Sequence, residues 1–162
     1  MSAVSAASSG SSPSRGSRPG RTHDEDGLVR RAAALAYEGS YAEGTLRVLL
    51  VASSRYPDQW ILPGGGIEAG ESDAAAAARE AHEEGGVVPA GEGTFLAAVT
   101  NPEKRARTQI FAMRVARLDE EYEDAGRRER TWASLQRAQE LLQGMPSQAA
   151  CLSAACAALT WL

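Results

Sequence analysis

One stretch of the sequence, Gly64–Val87, restricts the possible folds more than any other part of the chain. It opens with three consecutive glycines, continues into an alanine run at Ala74–Ala78 and closes on the pair Gly85 and Gly86. Glycine lets the backbone approach a ligand closely, whereas alanine is a strong helix former that packs tightly on a sheet. A glycine pair is a common helix stop. The stretch therefore predicts a glycine loop that leads into a helix ending at the glycine pair.

The second half of this helix carries three glutamates on one face. Glu80, Glu83 and Glu84 stand at positions i, i+3 and i+4, so their side chains project from the same side within about one turn. Carboxylates at this density suit Mg2+ or Mn2+, completed by water and by substrate phosphates. A solvated acidic helix face is the alternative interpretation, and for E-x-x-E-E taken alone it is the more common one.

The spacing of the whole stretch matches a known motif. Five residues separate Gly65 from Glu71, seven separate Glu71 from Arg79, and the chain then reads Arg-Glu-Ala-His-Glu-Glu-Gly-Gly-Val to Val87. This resembles the Nudix box, G-x5-E-x7-R-E-U-x-E-E-x-G-U with U an aliphatic residue, at every fixed position, with Ala81 a small residue at the first U. The resemblance implies hydrolysis of a nucleoside diphosphate linked to another moiety, or of a similar pyrophosphate, with a divalent metal. The box does not specify the substrate.

The motif suggests roles for individual residues. We expect the Gly64 carbonyl, Glu80 and Glu84 to hold Mg2+, with Mn2+ as the other candidate metal. We expect Glu83 to be the general base that takes a proton from water, with Glu80 as the alternative base. We expect Arg79 to orient a glutamate by ion pairing and Glu71 to steady the loop and the helix. His82 is expected to have a structural role in the helix.

Around this helix the sequence alternates strand-like and helical segments. The predicted strands are Arg30–Tyr37, Arg47–Ser53, Trp60–Leu62, Thr94–Thr100, Thr108–Ala116 and a last one at Trp132. Ser134 is a candidate cap for a helix through Leu142, and a further helix is predicted over Gln148–Leu159. Strands interleaved with helices predict an α/β fold with a mixed β-sheet between helices, and this α/β/α sandwich is also the fold that the Nudix resemblance implies.

Composition sets the expected domain and compartment. At 162 residues the chain fits one domain, which we expect to span residues 21–162. Residues 1–20 are mainly Ser, Gly, Pro, Ala and Arg without an acid, which predicts a disordered tail and also fits an organelle transit peptide. Cys151 and Cys156 are poorly spaced for a disulfide, so we expect free thiols and a cytoplasmic protein, with the nucleus as a second compartment. No apolar run approaches a membrane span, and we expect a monomer.

Several pieces outside the box extend the resemblance. They are Arg21-Thr22 with Asp24-Glu-Asp-Gly27 and Arg30-Arg31-Ala-Ala, the segment from Ser53 to Gly66, Asn101 to Thr108, and Gly126 to Trp132. Together they resemble one Nudix branch, the diphosphoinositol polyphosphate phosphohydrolases, which implies cleavage of inositol pyrophosphates and also of diadenosine polyphosphates, inorganic polyphosphate or mRNA caps. Such a dense anion needs cations from several directions, and the fork of arginine suits phosphate. Carried over residue by residue, the resemblance implies these substrate-binding positions: Arg21, Arg30, Arg31, Ser53, Ser54, Arg55, Lys104, Arg105 and Arg128.

Three positions depart from the branch. Val29 stands where the branch usually has a basic residue, Ala106 where it often has His, and Met145 near a position often filled by Lys. Lost cations leave diadenosine polyphosphates or capped RNA open as the main substrates, for which Tyr56 and Trp60 offer aromatic rings in the site loops. A non-catalytic module that binds a phosphorylated ligand is a third alternative, which loss of a box glutamate would mark. No box glutamate is lost here.

Overall fold

The computed structural model describes residues 20–159, in which an eight-stranded mixed sheet carries helices on both faces. The strands are β1 (Val29–Glu38), β2 (Arg47–Ala52), β3 (Trp60–Ile61), β4 (Gly64–Gly66), β5 (Val87–Pro89), β6 (Thr94–Asn101), β7 (Ala106–Leu118) and β8 (Arg130–Ser134). The helices are α1 (Asp73–Gly85), α2 (Leu135–Leu141) and α3 (Pro146–Ala157). Apart from its last residue, the predicted tail lies outside the described residues. The proposed domain boundary stays a prediction.

Strand pairing makes the sheet mixed, as predicted. β1 runs parallel to β7, in a register that extends from Val29 opposite Ala106 to Tyr37 opposite Arg114. The other pairings of the described strands are antiparallel: β2 and β4 with β1, β3 and β8 with β2, and β5 and β6 with β7. A parallel pair needs a long crossover connection, and the chain between β1 and β7 supplies it.

Side-chain alternation along β1 divides the core into two layers. Ala32, Ala34 and Ala36 pack in the layer that contains α1, whereas Leu35 and Tyr37 pack in the layer that contains α2 and α3. The helices therefore lie on opposite faces of the sheet. This confirms the α/β/α sandwich that the sequence predicts.

Helix α1 lies against the sheet through alanine. Ala76 and Ala77 are fully buried in the layer that contains the β1 alanines, and methyl side chains on both surfaces let helix and strand approach closely. At its start, Ser72 Oγ accepts a hydrogen bond from the Ala75 amide at 3.1 Å. At its end, Gly86 adopts a left-handed conformation with φ of 69°, so the predicted glycine stop is confirmed.

Two segments differ from the predicted elements. Gly64–Gly66 is the strand β4, paired with β1, rather than a loop. Val87–Pro89, directly after α1, is the short strand β5. Periodicity identifies neither strand, because glycine has no side chain to alternate and three residues are too few to show a period. The pairing of β4 with β1 holds the glycines beside α1.

Four loop segments meet at one end of the sheet. β1 and β7 begin at this end, and β2 ends there because it runs antiparallel to β1. Arg130, the first residue of β8, pairs with Val51 near the end of β2. The segments that adjoin this end are residues 21–28, 53–59, 102–105 and 126–129, and we call the surface that they form the mouth.

Candidate active site

Arg79 is the centre of an ion-pair network on the acidic face of α1. Its guanidinium donates to both carboxylate oxygens of Glu71, with Nε–Oε2 at 3.1 Å and Nη2–Oε1 at 2.7 Å. Nη2 also donates to the Gly66 carbonyl at 2.9 Å, and Nη1 donates to Glu80 Oε1 at 2.9 Å. The hydrogen bonds from Arg79 lower the pKa of Glu71, and the pairing with Glu71 raises that of Arg79. Arg79 and Glu71 thus join α1 to the β4 segment, as the sequence analysis expects.

Glu80 is held against β4 by the absence of a side chain at Gly65. A Cβ atom added at Gly65 would lie 2.5 Å from Cδ of Glu80, well inside van der Waals contact. The Glu80 side chain is 14% exposed and is restrained by Arg79. A side chain at Gly65 would displace the Glu80 carboxylate, so the glycine permits this close approach.

Glu84 is a buried carboxylate with incomplete compensation of its charge. Its Oε2 accepts a hydrogen bond from the Gly64 amide at 3.1 Å, and its Oε1 lies 3.7 Å from Nη1 of Arg128. Burial raises the pKa of Glu84 to about 8, against the opposing effects of Arg128 and the Gly64 amide. An ionised Glu84 therefore favours a nearby cation.

The Gly64 carbonyl points to the same edge of β4 as its amide. The Ala34 amide donates to the Pro63 carbonyl, and the Ile67 amide donates to the Arg30 carbonyl. These contacts put Gly64 at a position where neither its amide nor its carbonyl faces β1. Because the Gly64 amide donates to Glu84, the carbonyl lies at the edge that faces the glutamates.

Glu83 is the most exposed of the three glutamates. Its side chain is 34% exposed, against 14% for Glu80 and 8% for Glu84. Arg79 Nη1 lies 3.4 Å from Glu83 Oε2, so this restraint is weaker than that on Glu80. Partial burial, together with the charge of Glu80, raises the pKa of Glu83. Glu83 combines access to water with an environment that favours taking up a proton.

The glutamates fit a hard cation by their chemistry, although their side chains do not converge. Among the described residues, no three or more His, Cys, Asp or Glu side chains are already arranged as a metal-ligand group. Glu80 is turned to Arg79, and Glu84 to the Gly64 amide and Arg128. A divalent cation would have to replace these contacts. The buried charge of Glu84 and an all-oxygen donor set match the preference of Mg2+ or Mn2+.

Five of the seven predicted substrate-binding cations lie in the mouth, and most of the seven lack a counter-charge. Two form ion pairs: Arg30 with Asp73 at 2.6 Å, and Arg128 with Asp124 at 2.8 Å and with Glu84. The other five have no carboxylate within 4.0 Å in the part of the chain that the structure describes: Arg21, Arg31, Arg55, Lys104 and Arg105.

Arg30 and Arg31 lie on opposite faces of the sheet. Arg31 has the strand parity of Leu35, so it faces the α3 layer, where its charge acts on Cys151. Arg30 faces α1 and helps to line a cavity of about 210 Å³ with Asp24, Ile67, Asp73, Arg107 and Gln109. The box glutamates are not among its lining residues. Two arginines that the resemblance assigns to one ligand therefore lie on opposite faces of the sheet.

The predicted serines differ in their surroundings. Ser53 is buried, and its Oγ accepts a hydrogen bond from the Tyr56 amide at 3.1 Å, so it shapes the loop after β2. Ser54 is exposed in the same loop. Arg55 stacks over the Tyr56 ring, with its guanidinium carbon 5.4 Å from the ring centroid.

Two residues with no role expected from the sequence, Arg130 and Arg107, support the site together with His82, for which a structural role is expected. Arg130 Nη1 donates to the carbonyls of Gly85 and Asp119 at 2.9 and 2.8 Å, and so fixes the end of α1. His82 Nε2 lies 3.1 Å from Asp119 Oδ2. This hydrogen bond makes the largest contribution to lowering the pKa of Asp119. Arg107 binds two aspartates near the start of β1. These contacts join distant parts of the chain, and no local sequence pattern indicates them.

Comparison with known proteins gives a family match and similar sequences. A model of the NUDIX domain matches residues 28–155. Diphosphoinositol polyphosphate phosphohydrolase 2 of Rattus norvegicus is 41% identical over 125 residues, which cover 76% of this chain and 68% of the relative. The protein of the same name from Homo sapiens is 40% identical over 125 residues, covering 76% of this chain and 67% of the relative.

Solved structures share the fold. A crystal structure of the C. elegans Ap4A hydrolase superposes with a TM-score of 0.58 at 18% identity, covering 80% of this chain and 97% of that chain. A binary complex of a C. elegans Ap4A hydrolase gives a TM-score of 0.55 at 19% identity, over 78% of this chain and 96% of that chain. At this identity the likeness concerns the fold alone. None of the described helices combines the length and apolar character needed to cross a membrane.

Proposed function

This chain belongs to the Nudix family of hydrolases, and we propose that it removes the β-phosphate of diphosphoinositol polyphosphates with a divalent metal ion. Its similarity to relatives named diphosphoinositol polyphosphate phosphohydrolase supports this choice. The observation that carries the proposal is the set of five cations without a carboxylate partner among the described residues. Four of them lie in the mouth and Arg31 lies next to it in β1. Cations without a counter-charge around one end of the sheet repel one another, and a polyphosphorylated ring would offset that repulsion.

Mg2+ is the proposed metal, with Mn2+ as the other candidate. We assign its protein ligands to the Gly64 carbonyl, Glu80 and Glu84, because these oxygens lie along the adjoining edge of β4 and face of α1. A divalent ion bound there would neutralise charge on the phosphate oxygens and lower the pKa of water. Glu84 supplies a buried charge, and Arg79 holds Glu80 on the side of β4.

Glu83 is the proposed general base. It is the most exposed of the three glutamates and has the longest hydrogen bond to Arg79. A base must reach the water whose proton it takes, and Glu83 has that access. Glu80 stays the alternative base. Its short contact with Arg79 and its packing on Gly65 favour the role of a ligand.

The remaining residues are proposed to bind the phosphates of the substrate. Arg128 lies at the junction of Glu84 and the mouth, so we assign it to the phosphate nearest the metal. The unpaired cations would take the more distant phosphates. Ser54 is available as a hydroxyl donor, whereas Ser53 is placed to shape the loop.

One observation favours diadenosine polyphosphates or capped RNA as a second substrate class. The Tyr56 ring is 46% exposed in the mouth and is covered on one face by Arg55. An exposed aromatic ring next to a guanidinium is a suitable platform for a nucleobase. We also propose a monomer. The proposed compartment is the cytoplasm or the nucleus, since Cys151 and Cys156 are both free thiols, which is typical of reducing compartments.

Hydrolysis with Mg2+, measured as the loss of each substrate, tests the proposal. The substrates to compare are an inositol pyrophosphate, a diadenosine polyphosphate and a capped RNA, and Glu84→Gln serves as the inactive control. We expect the highest kcat/KM for the inositol pyrophosphate. A preference for either nucleotide would contradict the assignment and would indicate that the departures at Val29, Ala106 and Met145 change the ligand.

A further inference from the structure

The residues just before β1 form a tight hairpin, residues 22–29, which we call the N-terminal hairpin. Backbone hydrogen bonds join its two arms. At its tip, Asp24 Oδ1 accepts hydrogen bonds from the amides of Asp26 and Leu28, each at 3.0 Å. Gly27 completes the turn with φ of 76°. The hairpin thus presents the carboxylates of Asp24 and Asp26 on a fixed backbone, directly after Arg21.

Arg107, the second residue of β7, binds both of these carboxylates. Nη1 lies 2.7 Å from Asp24 Oδ2, and Nη2 lies 3.1 Å from Asp26 Oδ2. Nε donates to Thr100 Oγ1 of β6 at 3.3 Å. The side chains of Arg107 and Asp24 are 31% and 19% exposed, so this pairing is partly shielded from water. One guanidinium therefore connects the hairpin with the two strands that flank the β6–β7 turn.

The two segments that Arg107 connects both carry cations of the mouth. Arg21 precedes the N-terminal hairpin, and Lys104 and Arg105 lie in the β6–β7 turn. Within residues 20–159, these three have no carboxylate partner, and the ion pairs that join the hairpin to β6 or β7 are those of Arg107. Like charges on the two segments oppose their close approach. The backbone hydrogen bond from the Val29 amide to the Arg105 carbonyl, at 2.8 Å, joins the base of the hairpin to the turn. Arg107 adds the attraction between side chains that fixes the tip of the hairpin, at Asp24 and Asp26.

We propose that Arg107 is a positioning residue for substrate, which holds the N-terminal hairpin against the β6–β7 turn so that Arg21, Lys104 and Arg105 are arranged before a polyphosphorylated ligand binds. The inference rests on the proposed function. Without Arg107 the backbone pairing remains, but the tip of the hairpin loses its ion pairs and the three cations are less well ordered before binding. Part of the binding free energy is then spent on ordering them. Glu80, Glu83 and Glu84 lie on α1 and not on either segment, so the groups assigned to the chemical step stay in place.

Calorimetric titration with inositol hexakisphosphate, which has no diphosphate bond to cleave, measures this effect directly. We expect Arg107→Met to bind this probe about tenfold more weakly than the wild type. A loss of this size lies within the range of interaction energies measured between residues in contact. With an inositol pyrophosphate, KM should rise by a similar factor while kcat stays unchanged. Arg107→Lys should restore part of the affinity, because an ammonium pairs with one carboxylate but does not form a fork.

Arg114 provides the matched control on the same strand. Its guanidinium donates to the Gly39 carbonyl at 3.1 Å and stacks on Tyr37, toward the end of the sheet away from the mouth. Arg114→Met removes the same charge from the same strand without breaking an ion pair, and should leave the affinity for the probe unchanged. An equal loss in both variants would overturn the proposal, since the effect would then come from net charge alone.

A double-mutant cycle distinguishes positioning from a general loss of structure. Arg21→Met and Arg107→Met should be non-additive in binding, because Arg107 acts through the placement of Arg21. Arg55→Met and Arg107→Met should be additive, because the loop of Arg55 is not held by Arg107. Additive losses in both pairs would overturn the inference.

A second variant covers the case in which Arg107→Met does not fold. Asp24→Asn keeps the oxygen that accepts from the Asp26 and Leu28 amides and removes the charge that pairs with Arg107. It should also weaken binding. Wild-type affinity in folded Arg107→Met, or in Asp24→Asn, would overturn the positioning role. Absence of any binding or turnover by the wild type would instead overturn the proposed function together with the inference.

Discussion

Arg79 contacts the box glutamates unequally, and this asymmetry separates their roles at the scale of single residues. It donates to Glu80 Oε1 at 2.9 Å but lies 3.4 Å from Glu83 Oε2. Glu80 also packs on Gly65, which leaves it little freedom. Glu83 is thus the carboxylate that can reorient toward water without breaking a short hydrogen bond.

The base assignment predicts a specific pattern in amide variants of the glutamates. Glu83→Gln should lower kcat by a factor on the order of 10² to 10⁴, the usual contribution of a general base, and should keep the metal affinity close to that of the wild type. Glu80→Gln should lower the metal affinity as well. Turnover assays and Mg2+ titrations of the two proteins check this. A Glu83→Gln protein that keeps most of its turnover would show that another residue is the base.

Glu84 predicts how the stability of the metal-free protein depends on pH. Burial raises its pKa from the ordinary 4.5 to about 8, so the folded state binds this proton more tightly than the unfolded state. The protonated Glu84 therefore stabilises the folded state fully below about pH 4.5, and this contribution to the free energy of unfolding is lost as pH rises to about 8. We expect the Tm without metal to fall over this interval more steeply than in Glu84→Gln, measured by calorimetry.

Metal addition provides the control for this pH dependence. Mg2+ binds the folded state at Glu84, so at pH 8 it should raise the Tm of the wild type and have a smaller effect on Glu84→Gln. Parallel pH profiles in the two proteins without metal would contradict the view that Glu84 is the group responsible.

At the scale of elements, the end of α1 is where helix, loop and β8 meet. Gly86 has φ of 69°, and a Cβ atom there would lie 2.6 Å from the Asp119 carbonyl and 2.7 Å from Nη1 of Arg130. Arg130 in turn donates to the carbonyls of Gly85, the last residue of α1, and of Asp119. A side chain at Gly86 is therefore unfavourable for two reasons, the left-handed backbone conformation and the clash with Asp119 and Arg130.

Gly86→Ala should separate these reasons from each other when it is compared with Gly126→Ala. Gly126 has φ of 77° with nothing within 4 Å of an added Cβ, so its replacement costs only the left-handed conformation, about 1 kcal/mol. Gly86→Ala adds the clash and should cost about 2 to 4 kcal/mol in the free energy of unfolding, measured by urea denaturation. Equal losses would mean that the contacts of Arg130 and Asp119 adjust freely.

The sequence predicts strands well where polar and apolar side chains alternate, and helices well where a side chain caps the first turn. The strand predicted at Arg30–Tyr37 is confirmed as the core of β1, and Ser134 caps α2 through a hydrogen bond from the Arg137 amide. The prediction of a loop at Gly64–Gly66 is wrong, because strand formation there depends on pairing with β1 and not on the local residues. Pairing partners are a property of the whole fold.

The same limit applies to the candidate site. Glu80, Glu83 and Glu84 share a helix, so their neighbourhood follows from spacing alone. Arg107 and Asp24 are far apart in the sequence, and the fork between them exists only because β7 begins beside β1. Spacing rules therefore identify a cluster within one element, but not the contacts that hold separate loops in place.

At the scale of the whole molecule, the chain has a net charge of -4 and yet presents unpaired cations at one end. The binding of a polyanion there should weaken with salt, because the Debye length is about 10 Å at 0.1 M ionic strength. We expect KM for an inositol pyrophosphate to rise steeply between 0.05 and about 0.3 M salt, with kcat nearly constant. Steady-state kinetics over this range measures it.

A less charged substrate is the control for this electrostatic effect. A diadenosine polyphosphate carries fewer phosphates and should show a smaller dependence of KM on salt. Equal slopes for the two substrates would contradict a mouth in which separate cations each contact a phosphate.

The alanine contact between β1 and α1 has a thermodynamic consequence for the site. Alanine has no side-chain rotamer to lose, so Ala32, Ala34 and Ala36 pack with Ala76 and Ala77 without any side-chain entropy cost. For the same reason the contact has no alternative rotamer by which it can adapt. The separation between the glutamates and β4 is therefore a dimension of the backbone itself, and a single added methylene at this contact would change it as a rigid spacer does.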